Sequence, residues 1–376
     1  MHILQFKNKR HEAKEAFRTA RDNYYSTIST KLQDPACTPK TFWKLVKSVY
    51  NNNQQSNIPS LLDNGNLYTK DTDKAEILNN YFVSQTILPP ATLPLPNFHY
   101  LTDARLDRII VTPLIVKKIL LSLNTSKAVG PDQIGNRILK ECAESLSEPL
   151  CNLFQSSLDQ GIFPTCWKDA MVTAIFKKID RLIKTNYRPI SLLCCMSKVL
   201  EKIVFNQVYP FLILHHLLSD VNSGFKPNDS AINRLLAILE SIHKGFDESK
   251  DSIFISLDIS KAFDRVWHEG LIFKLKQNGI SGSLLAWFQS YLTNRRQKVV
   301  IAGSSSSYKP VQAGVPQGSI LGPLLFLIYS NDMTSGLRSD VHQFADDINL
   351  VQTFSDPVKA VNDLNHDLDQ LHLWAE

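Results

Sequence analysis

Two adjacent carboxylates, Asp346 and Asp347, stand at the centre of Val341-His342-Gln343-Phe344-Ala345-Asp346-Asp347-Ile348-Asn349-Leu350-Val351. Strand-favouring residues flank them on both sides. This predicts a hairpin with Ala-Asp-Asp at its turn, where both acids can point the same way although strand neighbours normally face opposite sides. Crowded carboxylates repel, and a shared proton or a bound divalent cation is the low-energy remedy. Asp is also an ordinary turn residue, so the pair by itself leaves a plain turn open.

A third acid changes the balance. In Ile253-Phe254-Ile255-Ser256-Leu257-Asp258-Ile259-Ser260-Lys261-Ala262-Phe263-Asp264, five strand-favouring residues run into Asp258. The acid therefore sits at a strand's C-terminal end, where open sheets tend to place chemistry. A strand ending in one acid and a hairpin bearing two can seat two Mg²⁺ ions, the arrangement that activates a hydroxyl and stabilises a leaving oxygen in an in-line displacement on phosphorus. Asp264 falls in the following turn or helix and reads as a structural cap.

Cations suited to a triphosphate lie upstream, in Phe176-Lys177-Lys178 and Asn186-Tyr187-Arg188-Pro189-Ile190-Ser191-Leu192, where Arg188 beside a proline admits two readings, a phosphate contact or a structural arginine. Arg188 offers a planar fork for phosphate oxygens and the lysines add point charges. Val172 to Phe176 reads as a strand and Ser197 to Val204 as a helix, with a cationic loop between them. Between the acids lies Gln312-Ala313-Gly314-Val315-Pro316-Gln317-Gly318-Ser319-Ile320-Leu321-Gly322-Pro323. Its glycines allow close backbone approach to a ligand, Gln317 and Gly318 could line a base pair or sugar, and Gly322-Pro323 suits a helix start.

The rest of the chain must position these groups. Residues 11–33 carry Ala13, Phe17, Ala20, Tyr24 and Ile28 at helical spacing among basic residues, an amphipathic helix that packs on a neighbour or touches nucleic acid. A short helix with Phe42, Leu45, Val46 and Val49 precedes the polar linker 51–57, and a third, after Asp71, carries Ala75, Leu78 and Phe82. The proline-rich run 88–96 sets a domain boundary near residue 97. Beyond it, Thr112-Pro113 caps a helix with Ile115, Ile119 and Leu123. Lys127 in the turn before Pro131-Asp132 admits two readings, a phosphate contact or a solvated lysine. Asp132 is placed as the cap of a helix through Ile134, Ile138, Cys142 and Leu146, followed by a second through Leu150, Leu153, Phe154 and Leu158 that stops at Gly161.

With 376 residues, 43% hydrophobic and 20% charged, the composition is that of a globular chain large enough for two or three cores. No apolar run reaches membrane-spanning length and the start lacks a signal-peptide layout, which predicts an intracellular protein, nuclear or cytoplasmic, without a membrane partner. Six cysteines without C-x-x-C pairing read mostly as buried thiols, not as zinc ligands or disulfides. The net charge of +5 is unevenly spread: residues 1–60 hold 10 Lys/Arg against 4 Asp/Glu, residues 331–376 hold 2 against 9. A basic front and an acidic back suit a protein that grips a polyanion in one region and metal in another, though solvated faces give the same pattern.

Taken in order, Lys127-Ala128-Val129-Gly130-Pro131-Asp132, Asn186 to Leu192, Asp258 with Phe263, Gly314-Val315-Pro316-Gln317-Gly318-Ser319 and Phe344-Ala345-Asp346-Asp347 resemble the signature of reverse transcriptases, in the form found in non-LTR (LINE-type, jockey-like) retrotransposons. The resemblance covers residues 100–376. It implies an α+β right-hand polymerase: a helical N-terminal connector over 1–97, the helical part of the fingers over 98–160, and a fingers-palm domain with an antiparallel palm sheet over 161–376. It implies Asp258, Asp346 and Asp347 as the catalytic triad, with Ile259 joining them as metal ligands for two Mg²⁺ ions, Mn²⁺ being a possible substitute. Lys177, Arg188, Phe263, Gln317 and Gly318 become nucleotide-binding residues, and Phe263 the ring that blocks a ribose 2′-hydroxyl. Phe176-Lys177-Lys178-Ile179 departs here from the family's Lys-x-Gly. RNA template, DNA primer and dNTPs are the implied partners. The endonuclease and thumb of such elements would lie outside these residues, making the chain a truncated fragment. Two other readings stand beside this one: an RNA-templated RNA polymerase, against which Phe263 speaks, and a catalytically silent nucleic-acid-binding remnant.

Overall fold

The computed structural model describes residues 2–34, 37–39, 41–42, 45–46, 58–89 and 94–375, with the side chains of 2–9 left aside. The predicted second helix lies mostly, and the 51–57 linker wholly, outside the described residues. Two compact units divide at residues 57 and 58. The first holds one 32-residue helix, His2–Gln33, longer than the predicted 11–33. Ala13, Phe17, Ala20 and Tyr24 of its stripe are exposed and Ile28 is buried.

The second unit is α+β. Its strands are β1 (Leu61–Asp63), β2 (Asn66–Tyr68), β3 (Asp169–Phe176), β4 (Tyr187–Leu192), β5 (Asp251–Asp258), β6 (Arg295–Ile301), β7 (Ser304–Ser305), β8 (Lys309–Val311), β9 (Asp340–Phe344) and β10 (Asp347–Phe354). β1 and β2 form a hairpin through Asn64-Gly65, both at positive φ. That Asn-Gly pair is the residue choice a two-residue turn demands. β4-β3-β6-β7 form one sheet, with β8 also on β6, and only the β3–β6 pairing is parallel. β5-β10-β9 form a fully antiparallel sheet.

Tyr187–Leu192, expected within a cationic loop, is instead strand β4, antiparallel to β3. It is an edge strand, where Pro189 lacks no partner that a central strand would require. Residues 58–84, expected with the connector, pack on this sheet: Leu61, Ala75, Leu78 and Phe82 share a core with Val172, Ala174, Tyr187 and Val299. The helix Asp71–Ser84 buries the three residues its spacing predicted.

The largest core packs the helices of 113–159, 268–292 and 321–329 around Cys195–Leu214, whose Val199, Leu200, Ile203, Val204, Val208 and Leu212 are fully buried. Thr112 caps Pro113–Ser122 as expected, its hydroxyl accepting from Ile115 N–H at 3.3 Å. The next helix is shorter than predicted. Asn136–Glu141 ends at Cys142 and a new helix, Ala143–Asp159, runs through Pro149. Asp132 does not cap it; its carboxylate accepts from Ile134 N–H and from the Cys194 thiol. An edge-to-face cluster of Phe154, Phe163, Trp167 and Trp287, with Tyr291 stacked on Trp287, lies within this core. All six cysteines are free, and Cys151, Cys194 and Cys195 are buried. No helix among the described residues is long and apolar enough to cross a membrane.

Candidate active site

The three acids converge through the antiparallel sheet. β5 ends at Asp258 and β10 begins at Asp347, and these two are directly paired across the ladder. Opposed residues in such a pair share a face. β9 and β10 are joined by the two-residue loop Ala345-Asp346, with Ala345 at φ +58. This is the predicted hairpin, and the left-handed Ala345 breaks the strand alternation that would send Asp346 to the far face. The amide of Ile259 donates to the Asp346 carbonyl at 3.3 Å, tying the end of β5 to the turn.

Burial raises the Asp346 carboxyl above the ordinary range, and the charges of Asp347 and Asp258 push it the same way. The charge of the Lys177 ammonium acts in the opposite sense. Hard oxygen donors that repel one another are the donor set a divalent cation favours, and in that sense the residues fit Mg²⁺ or Mn²⁺. Among the described residues, no three His, Cys, Asp or Glu side chains are drawn together as a closed ligand set. Ile259 offers no side-chain ligand; the oxygen it has to give is its backbone carbonyl.

Behind the acids, the turn 262–268 and the loop 314–318 are joined along their length. Gly314 N–H donates to the Val266 carbonyl and Val315 N–H to the Phe263 carbonyl, each at 2.8 Å. His268 Nε2–H donates to the Gly314 carbonyl at 2.8 Å, and burial lowers the pKa of that imidazole. Gln317 Nε2 donates to Asp264 Oδ1 at 3.0 Å. Asp264 is thus no helix cap: it holds the side chain of a predicted nucleotide-binding residue, and burial pushes its carboxyl up to about 6. The glycines serve the fold's own backbone. A Cβ on Gly314 would lie 2.7 Å from the Phe263 carbonyl oxygen, and one on Gly318 2.5 Å from that of Ser191. Gly322-Pro323 lies within the first turn of the helix Leu321–Tyr329, not at its cap. The buried Glu201 carboxylate accepts from Ile320 and Leu321 N–H there, the favourable sign at a helix start.

Phe263 stacks on Phe326 at 4.9 Å and meets Phe225 edge-on at 5.6 Å, so its ring is fixed from two sides. Ser191 N–H donates to the Gln317 carbonyl at 2.7 Å, which brings β4 to the loop. Arg188, three residues earlier on β4, is exposed, and Lys177 follows β3, its amide bonded to the Asn186 carbonyl at 2.8 Å. His268 went unremarked in the sequence. Its signal is the nearness of His268 to Phe263-Asp264 in sequence, since it opens the helix that follows their turn.

Comparison with known proteins supplies the context. Residues 175–373 match the family described as "Reverse transcriptase (RNA-dependent DNA polymerase)". The chain is 31% identical to "RNA-directed DNA polymerase from mobile element jockey" of Drosophila melanogaster over 69% of its own length and 29% of that protein. It is 33% identical to "Probable RNA-directed DNA polymerase from transposon X-element" of the same species, over 65% and 26%. With "Probable RNA-directed DNA polymerase from transposon BS", also from that fly, identity is 25% over 97% and 42%. The chain spans under half the length of these relatives.

Proposed function

Because the chain belongs to the reverse transcriptase family, in its jockey-like non-LTR branch, we propose that it is an RNA-directed DNA polymerase, transferring nucleotidyl groups from dNTPs to a primer 3′-hydroxyl on an RNA template. In this reading β5, β9 and β10 are the palm sheet, and residues 98–160 with β3 and β4 belong to the fingers. Asp258, Asp346 and Asp347, with the Ile259 carbonyl, hold two divalent ions, Mg²⁺ or in its place Mn²⁺. When bound, such a pair supplies activation of the attacking hydroxyl and charge stabilisation on the leaving oxygen.

The chain's own residues do the rest. Lys177 and Arg188 bind the triphosphate from the fingers side, with charge-assisted hydrogen bonds that orient it toward the acids. Phe263, held between Phe225 and Phe326, leaves no room for a 2′-hydroxyl. Gln317 and Gly318 form the floor beneath the incoming nucleotide, and Asp264 fixes the Gln317 amide. The observation that carries the reading is the register of Asp347 opposite Asp258 with Asp346 in the adjoining turn.

The test is primer extension on an RNA template with DNA primer, dNTPs and Mg²⁺ or Mn²⁺, comparing wild type with Asp346→Ala. Extension that disappears in the variant supports the polymerase. Equal signal from both proteins refutes it and favours a silent nucleic-acid-binding remnant.

A further inference from the structure

Residues 221–225, between the helices Cys195–Leu214 and Ala231–Asp247 (17 residues), run beside β9. Ser223 N–H donates to the Gln343 carbonyl at 3.0 Å and Gln343 N–H to the Val221 carbonyl at 3.1 Å, a parallel bridge centred on Asn222 and Gln343. Both of these amide side chains are buried, at 4% and 1% exposure. Asn222 Oδ1 accepts from Ala345 N–H at 3.1 Å and from Gly224 N–H at 2.9 Å. Gln343 Nε2 donates to the Ala345 carbonyl at 2.9 Å. The N–H and C=O of Ala345 are therefore each held by a buried side-chain amide. Gly224 lies flat against the same residue: a Cβ there would stand 2.2 Å from Ala345 N.

Ala345 needs such support. It occupies the left-handed region in a two-residue hairpin loop, a position that normally selects glycine, and a residue with a Cβ pays on the order of 1 kcal/mol to stay there. We propose that residues 221–225 form a clamp that holds the Ala345-Asp346 turn in this conformation, with Asn222 and Gly224 as positioning residues for the Asp346 carboxylate. The same segment ends in Phe225, whose ring abuts Phe263, so one short stretch steadies both the acid and the sugar-facing aromatic. The inference rests on the reading of Asp346 as a metal ligand. The clamp itself is a statement about the turn.

Two measurements on the full chain separate these parts. Amide hydrogen exchange over residues 343–349, in metal-free protein, reports the clamp. Mn²⁺ affinity by electron paramagnetic resonance reports the acids. Asn222→Leu leaves the Ala345 and Gly224 amides unpaired. It is expected to speed exchange at Ala345 about tenfold or more and to weaken Mn²⁺ binding by about the same factor. Ala345→Gly in the Asn222→Leu background removes the left-handed cost and is expected to restore Mn²⁺ affinity, a rescue that generalised destabilisation would not show. Gly224→Ala is expected to disturb the turn directly; should it fail to fold, the Asn222 series decides alone. Wild-type exchange in Asn222→Leu overturns the clamp, as does a loss that Ala345→Gly leaves unchanged. Unaltered Mn²⁺ affinity in Asp346→Ala overturns the metal reading instead, and the exchange data still judge the clamp.

Discussion

Asp264 offers the sharpest physical test of the site, because its carboxylate costs the fold stability. Burial dominates over the opposing Gln317 hydrogen bond and Lys261 charge, and holds the carboxyl at about 6 against an ordinary 3.8. At 1.36 kcal/mol per pH unit that difference amounts to at most about 3 kcal/mol. The sign follows from which form the fold disfavours. Below the unfolded value the group is protonated in both states and costs nothing. As pH rises from about 4 to about 6 the unfolded chain ionises first, stability falls, and above about 6 the full cost is in place. Asp264→Asn keeps an oxygen to accept from Gln317 Nε2 but cannot ionise. In urea unfolding at pH 4 and pH 7.5, the variant is expected to gain stability relative to wild type by about 2–3 kcal/mol between the two pH values. Parallel stability curves for the two proteins would refute the claim that this carboxylate is held against its own solvation. Asp264→Leu, which leaves the Gln317 amide unheld, is expected to raise KM for dNTP while Asp264→Asn does not.

Other substitutions probe other parts of the site. Phe263→Ala opens the space the ring fills; ribonucleotide incorporation relative to dNTP is expected to rise about tenfold or more in competitive primer extension, and unchanged discrimination would remove the gating role. Gly318→Ala sets a Cβ 2.5 Å from the Ser191 carbonyl at φ +122. It is expected to lower stability by about 1–3 kcal/mol in urea unfolding, with a loss of extension activity as β4 is pushed from the loop. Trp287→Ala empties a fully buried position in the aromatic cluster around Phe163, and is expected to cost about 3–5 kcal/mol in the same assay.

What could be read in advance from the chain was what local pattern determines. The hairpin around Asp346, the strand ending at Asp258, the Thr112 cap and the buried face of Asp71–Ser84 each follow from a few consecutive residues. What could not be read depended on neighbours far along the chain. Tyr187–Leu192 looked like a cationic loop because Arg188 and Pro189 are poor strand residues, yet at a sheet edge neither is a burden. The glycines of 314–322 suggested a ligand's approach, whereas the backbone that needs their missing side chains is that of Phe263 and Ser191. Asp264 looked like a cap because its partner, Gln317, is 53 residues away. The boundary placed near residue 97 followed proline content, while the compact unit begins at 58 because Leu61 and Leu78 find their core on the distant strands that carry Val172, Tyr187 and Val299.

Three residues beside those proposed to do chemistry hold left-handed backbone. Lys261, between Asp258 and Phe263, is left-handed at φ +57; Ala345, beside Asp346, at +58; Phe225, against Phe263, at +58. None is glycine, and each costs on the order of 1 kcal/mol or more to hold. The cost at Ala345 has a geometric origin: Asp258 and Asp347 share a face by direct pairing, but regular alternation would send Asp346 to the other side unless the chain leaves strand geometry beside it. The placement then sets Asp347 against Asp258 as like charges directly opposed, which is itself destabilising in a sheet. Strain and repulsion at one spot persist only where the surroundings leave no alternative, and here the surroundings are specific. Two buried amides hold Ala345, and paired backbones hold the turn of Phe263, whose ring packs on the core of fully buried aliphatic side chains of Cys195–Leu214. A fold that holds unfavourable local geometry with buried, directional bonds sets the Ala345-Asp346 turn before any ligand arrives, and the proposed catalysis requires that order of events.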